Sequence, residues 1–353
     1  MKRGVRLLLA TLVAGIALVL AFHGVSFEQF GGAVAGADWG PLVIATSLVV
    51  LLILARILRW AILVRQLQPV PTGQLFAIAS VGFMAIDLLP LRMGEFVRPV
   101  LLTRNAKMPF GAGTASIVVE RMLDLIAAGT CLLVALLLAD MPEIIVTVFD
   151  TPVDLAVQGR NVILLAMAVL GGPVVVLGLA GPRGIALLMK GLDLLPAAIG
   201  GKILGLVASF GDAVRAMASP RVAASTLGLT AVAWGCNLVG LWFTLRAFGV
   251  EIGMAEANVV MLTVTIALML PAPVGGLGVY EAGAVAGAML YGVPQATASA
   301  FALSLHGTHF LPVVVFGLLC IGSLGIGVRP SALQLGFETG QLAEQGLLVL
   351  KTS

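Results

Sequence analysis

Apolar runs dominate the chain, and polar positions interrupt them at only a few places. Runs at about 7–22, 42–64, 113–138, 161–180, 222–248 and 297–325 come close to, or exceed, the roughly twenty residues that cross a hydrocarbon core of about 30 Å. Six full membrane spans are therefore expected. Two other apolar stretches are broken in the middle, 75–105 at Leu89-Pro90-Leu91-Arg92-Met93-Gly94 and 257–291 at Pro271-Ala272-Pro273-Val274-Gly275-Gly276-Leu277-Gly278. A limb of about fifteen residues makes about 22 Å of helix, too short to cross comfortably. Both stretches are expected to be re-entrant hairpins. Their irregular backbone must then be buried in protein or face a wet cavity, because lipid cannot satisfy its amides.

The expected fold class is an all-α integral membrane protein with about six full spans and two re-entrant broken-helix hairpins in an inverted repeat. A shift of 183 residues places Pro90 on Pro273, Arg98 on Glu281, Trp60 on Phe243 and Thr114-Ala115-Ser116 on Thr297-Ala298-Ser299. Repeat one covers about 42–138 and repeat two about 222–325, within a membrane domain of 1–328 followed by a tail at 329–353. Each unit reads helix, broken hairpin, helix, and the two begin in opposite directions across the bilayer. Inverted units with discontinuous helices are the organisation of many secondary transporters.

Composition sharpens the class: 60% of residues are hydrophobic, 10% are charged, and the mean hydropathy is +1.11, which excludes a soluble globular domain. The net charge of +3 comes from basic residues near segment ends, so it orients the chain and does not suggest nucleic acid. With the N-terminus cytoplasmic, most arginines and lysines lie inside, which implies an inner (plasma) membrane protein with both termini cytoplasmic. The first apolar run follows Lys2, Arg3 and Arg6 like a secretory signal, but no clear small-x-small cleavage site appears before the polar loop at His23, so a retained helix is expected. Residues 184–218 carry Lys190, Asp193, Lys202, Asp212 and Arg215 among apolar positions and are expected as amphipathic helices on the cytoplasmic surface, with further short spans left open. Cys131, Cys236 and Cys320 lie in apolar segments and behave as small hydrophobes.

Charges inside such segments are costly and mark functional sites by default. Arg92, Glu95 and Arg98 are spaced by three, which on one helix would stack them along one side. Helix starts after Pro90 and Pro273 would present free amides to a phosphate, and Gly275, Gly276 and Gly278 would let backbone approach a ligand closely. Arg56 and Arg59 share a face toward the end of the second span, where they could meet an anionic headgroup, beside a Trp60 that reads equally well as an interfacial anchor. Glu281 in the second hairpin completes the substrate-binding set. Asp87, Glu120, Arg121, Asp124 and His306 form a candidate proton or gating network, with a plain buried salt bridge as the simpler reading for Glu120, Arg121 and Asp124. His306 and His309 share a helical face but lack a third local ligand, so no metal is expected. There is no Gly-x-x-x-x-Gly-Lys-Ser/Thr run, and neither ATP hydrolysis nor a cofactor is expected.

At these residues the sequence resembles the lysylphosphatidylglycerol synthase transmembrane family. The resemblance is carried by Arg56-Ile57-Leu58-Arg59-Trp60, Pro90 to Arg98, Val119-Glu120-Arg121-Met122-Leu123-Asp124 and Pro273 to Glu281, and covers roughly residues 50–325. It implies a flippase-like domain acting on lipids such as aminoacylated phosphatidylglycerol, with relatives linked to glycolipid, polyprenyl-phosphate or hopanoid pathways. The chain ends at Ser353, so a stand-alone member without the synthase domain is expected. The leading expectation is a lipid flippase or transporter, and not an enzyme, moving an anionic phospholipid or lipid-linked phosphate between leaflets. The alternatives are a membrane-embedded lipid headgroup transferase or hydrolase, and a non-transporting scaffold. Expected partners are membrane lipids and an anionic lipid substrate, with a lipid-synthesising enzyme and a homo-oligomer left open.

Overall fold

Proline and glycine set most helix boundaries. A computed structural model describes residues 12, 15–19, 21–89, 94–140, 145–148, 151–154, 161, 219–270 and 275–324. Helix α1, Phe27–Ala35, starts at a capping box in which Ser26 and Gln29 each accept the other's backbone amide. Helix α2, Trp39–Leu67, starts where Asp38 accepts the amide of Gly40 at 2.8 Å. Helix α3, Thr72–Leu88, follows Pro71 and stops at Leu89, whose extended backbone is the conformation that a following proline demands. Helix α4, Val97–Ala106, ends at Lys107 in the left-handed region. Helix α5, Phe110–Leu138, starts after Pro109.

The second half repeats this grammar. Helix α6, Pro220–Ala247, carries its proline in the first turn, where the missing N–H costs nothing. Helix α7, Met254–Ala267, and α8, Val279–Met289, flank the second break, and α9, Gln295–Ile321, runs into a 3-10 turn at Gly322–Leu324. Between the halves lies one antiparallel strand pair, β1 Ile145–Val148 with β2 Thr151–Asp154, in a register that pairs Ile145 with Asp154. This short pair is the one addition to the expected all-helical chain among the described residues.

Four described helices are long and apolar enough to cross a membrane: α2, α5, α6 and Gln295–Leu324. They match four of the six expected spans, and the chain is a multi-pass membrane protein. Half of the span expected at 7–22, all but one residue of that at 161–180, the linker at 184–218 and the tail at 329–353 lie outside the described residues. Both broken stretches are pairs of short helices, α3 with α4 and α7 with α8. The limbs pack closely. A Cβ on Gly94 would sit 2.2 Å from the backbone of Ala85 and Ile86, and Gly283 and Gly287 lie against Thr263 and Val260 of α7.

Packing interleaves the two halves. α2 lies chiefly along α6, and α9 along α3, so each half covers elements of the other. One apolar cluster gathers Ile57, Trp60, Leu75, Ile78, Met84 and Leu102; a second gathers Leu245, Val260, Ala284, Ala298, Phe301 and Leu305. A cavity lined by residues of both clusters, with charged groups among them, lies between them.

Candidate functional site

Glu120, on α5 and fully buried, is the hub of an ion network. Its Oε2 accepts from Arg98 Nη1 at 2.6 Å, and its Oε1 accepts from Arg121 Nη2 at 3.0 Å. Arg59 Nη2 and Arg56 Nη2 face the same Oε1 at 3.6 and 3.9 Å. One turn along the helix, Asp124 pairs with Arg59 at 2.8 Å and Arg121 at 3.4 Å, and accepts from the indole of Trp234. Glu95 faces Arg121 at 4.0 Å. Four guanidiniums thus meet three carboxylates in a setting where a single unpaired charge would cost several kcal/mol.

The network has a buried and a wet side. Arg59 and Arg98 are wholly buried, and Arg59 also donates to Thr230 at 2.9 Å. Arg98 lies over the rings of Phe83 and Trp60, at 4.8 and 5.3 Å, and its stem fills the space above Gly82, where a Cβ would meet it at 2.1 Å. Trp60 is correspondingly a core residue, wholly buried and donating to Ser116, and not a side chain exposed for interfacial anchoring. Arg56 and Arg121, with about a third of their side-chain surface exposed, reach the cavity.

That cavity has a volume of about 690 Å³, within the range of small-molecule sites. Its walls include Arg56, Asp87, Glu95, Arg121 and Asp124 from the first half and Gly275, Gly276, Tyr280, His306 and His309 from the second. The two breaks meet there. Gly275, at φ 63°, lies so close to the carbonyl oxygen of Asp87 that a Cβ would stand 3.2 Å from it, and Gly276 and Gly278 share the positive φ that L side chains rarely adopt. Behind this wall Glu281 is buried: it accepts from the Gly278 amide at 2.7 Å and meets His306 Nδ1 at 2.6 Å. Tyr280 stacks on His306 with ring centres 4.5 Å apart, and His309 pairs with Asn237 at 2.9 Å.

Most sequence candidates therefore converge, but not all at one surface. Arg56, Asp87, Glu95, Arg121, Asp124, Gly275, Gly276 and His306 line the cavity, whereas Arg59, Arg98, Glu120 and Glu281 are packed behind its wall. Arg92, with Pro90 and Pro273, lies outside the described residues. The expected stack through Glu95 to Arg98 is replaced by two separate pairings. The α4 helix begins only at Val97, which leaves Glu95 in a 3-10 turn facing Arg121 while Arg98 turns inward to Glu120. Tyr280, Asn237, Trp234 and Thr230 were not singled out from the sequence. A lone polar or aromatic residue in an apolar helix has no spacing signature, and only the wider arrangement gives each a role.

Comparison with known proteins bears on the function. Glycosyltransferase AglD of Haloferax volcanii is 30% identical over 278 residues, which are 73% of this chain and 44% of that protein. The chain thus matches less than half of that relative's length. The name of this relative, a glycosyltransferase, overturns the expectation that the chain is not an enzyme. Family comparison matches residues 7–317 to the lysylphosphatidylglycerol synthase TM region, with every described candidate residue inside the match. The chain belongs to the lysylphosphatidylglycerol synthase transmembrane-region family.

Proposed function

We propose that the cavity receives the phosphate headgroup of an anionic phospholipid or lipid-linked phosphate and passes it between leaflets. The observation that carries this reading is the place of Arg56 and Arg121, partly exposed on the cavity wall at the edge of an ion network whose carboxylates hold them there. Guanidiniums so placed can donate to phosphate oxygens at a depth where water is scarce, and the carboxylates beside them keep the wall neutralised when it is empty. Glycine backbone at 275–276 supplies a surface that a headgroup can approach closely. In this reading the two halves, 42–138 and 222–325, are inverted units. Their breaks enter from opposite leaflets of the inner membrane, with both termini cytoplasmic.

Arg56→Gln tests it. Arg56 makes the longest of the four contacts to Glu120, so its loss leaves the network largely intact while weakening the wall. Translocation of phosphatidylglycerol carrying a fluorescent acyl chain, followed by dithionite quenching in proteoliposomes, is expected to slow about tenfold, with the melting temperature nearly unchanged. Equal rates for Arg56→Gln and the parent protein would overturn the assignment.

A second reading is favoured by the named relative: the same cavity presents a lipid-linked phosphate for glycosyl transfer. Formation of a glycosylated lipid in detergent, where no second leaflet exists, would favour transfer over translocation.

A further inference from the structure

The two halves carry one matched feature that the cavity wall does not include. Arg98 and Glu281 fall on each other under the shift of 183 residues, and each lies in the first turn of the second limb of its broken stretch. Each is buried, with 0% and 1% of its surface exposed, and each makes a 2.6 Å bond to the long helix that follows: Arg98 to Glu120 on α5, Glu281 to His306 on α9. Aromatic rings cover both pairs, Phe83 and Trp60 over Arg98 and Tyr280 against His306. The chemistry is opposite in sign, but the placement is the same.

We infer that Arg98 and Glu281 are equivalent positioning residues, each pinning the returning limb of a break to the next long helix and so fixing its half of the cavity wall. The Arg98 pin holds Glu120, around which Arg56 and Arg121 are arranged on the wall. The Glu281 pin holds both ends of its own unit: its Oε2 takes the amide of Gly278 at the end of the glycine turn, and its Oε1 fixes the imidazole of His306, which faces the cavity. Neither side chain reaches the cavity itself, so neither acts by touching a headgroup. Buried charged bonds of this kind hold geometry because breaking one leaves its partner without compensation.

The inference takes its functional meaning from the headgroup reading, but its test needs no lipid movement. The full chain, with Cys131, Cys236 and Cys320 replaced by alanine, receives a single reporter thiol on the cavity wall. Ala128→Cys reports on α5 and Val313→Cys on α9. Labelling by a water-soluble maleimide is followed in detergent. Arg98→Gln is expected to change the rate at Ala128→Cys about tenfold and leave that at Val313→Cys within about twofold; Glu281→Gln is expected to do the reverse. Arg98→Lys, which keeps the charge, is expected to stay nearer the parent rate. Should Arg98→Gln fail to give a monodisperse protein, Arg98→Lys against the parent carries the comparison for that half. Equal effects on both reporters, the mark of general loosening, or no effect on either, would overturn the assignment. A protein that moves no lipid but shows the split reactivity keeps the pins and loses the headgroup reading.

Discussion

Glu120→Ala is expected to destabilise the protein by about 3–5 kcal/mol, the range found when one partner of a buried ion pair is removed. Arg59 and Arg98 are wholly buried, and both face this one carboxylate. Without it, Arg98 keeps, among the described residues, the faces of Phe83 and Trp60, which do not replace a charge-assisted bond of 2.6 Å. Arg59 retains Asp124 and Thr230, so the damage should centre on α4 and its contact with α5. Glu120→Gln keeps an acceptor and is expected to lose less. Thermal unfolding in detergent, followed by loss of the monodisperse peak in size-exclusion chromatography, measures both. An alanine variant that melts with the parent would show that the arginines find other partners.

Gly94→Ala is the second large effect expected. The added methyl would stand 2.2 Å from the backbone carbon of Ala85 and the amide nitrogen of Ile86, neither of which can yield as a flexible side chain could. The two limbs of the first break must therefore separate, which places the cost at or above the roughly 1–3 kcal/mol usual for overpacking. Gly73→Ala is the matched control: it lies in the first turn of α3 with open space around its Cβ position, and a helix gains about 1 kcal/mol when glycine becomes alanine. The first variant is expected to melt earlier than the parent and the second no earlier. Identical melting of the two would remove the close approach of the limbs.

The long helices could be read from the chain because an apolar run of that length has few other fates, and α2, α5, α6 and α9 lie where the runs predict. Both breaks were also legible, since Pro90 forbids α3 from continuing and the glycines at 275–278 mark a turn. Individual roles were harder to read. A spacing of three means a shared face only on one continuous helix, and the late start of α4 parted Glu95 from Arg98. The partners of Arg98 and Glu281 lie 22 and 25 residues away on other helices, so no local pattern could tell a wall residue from one behind the wall. The strand pair does leave a trace in the sequence: Ile145-Val146-Thr147-Val148 is a β-branched run, which favours extended structure, although four residues among long apolar segments make a short signal.

The interleaving of the halves has a consequence for biogenesis. α2 and α3 leave the ribosome long before α6 and α9, the helices that cover them, and Asp87 awaits Gly275, which is made nearly two hundred residues later. Until then the charged face of the first half has no finished shelter in the bilayer, so a nascent chain halted before α6 would offer the insertion machinery and membrane proteases an immature intermediate. Two fragments divided between the halves should accumulate only when produced together.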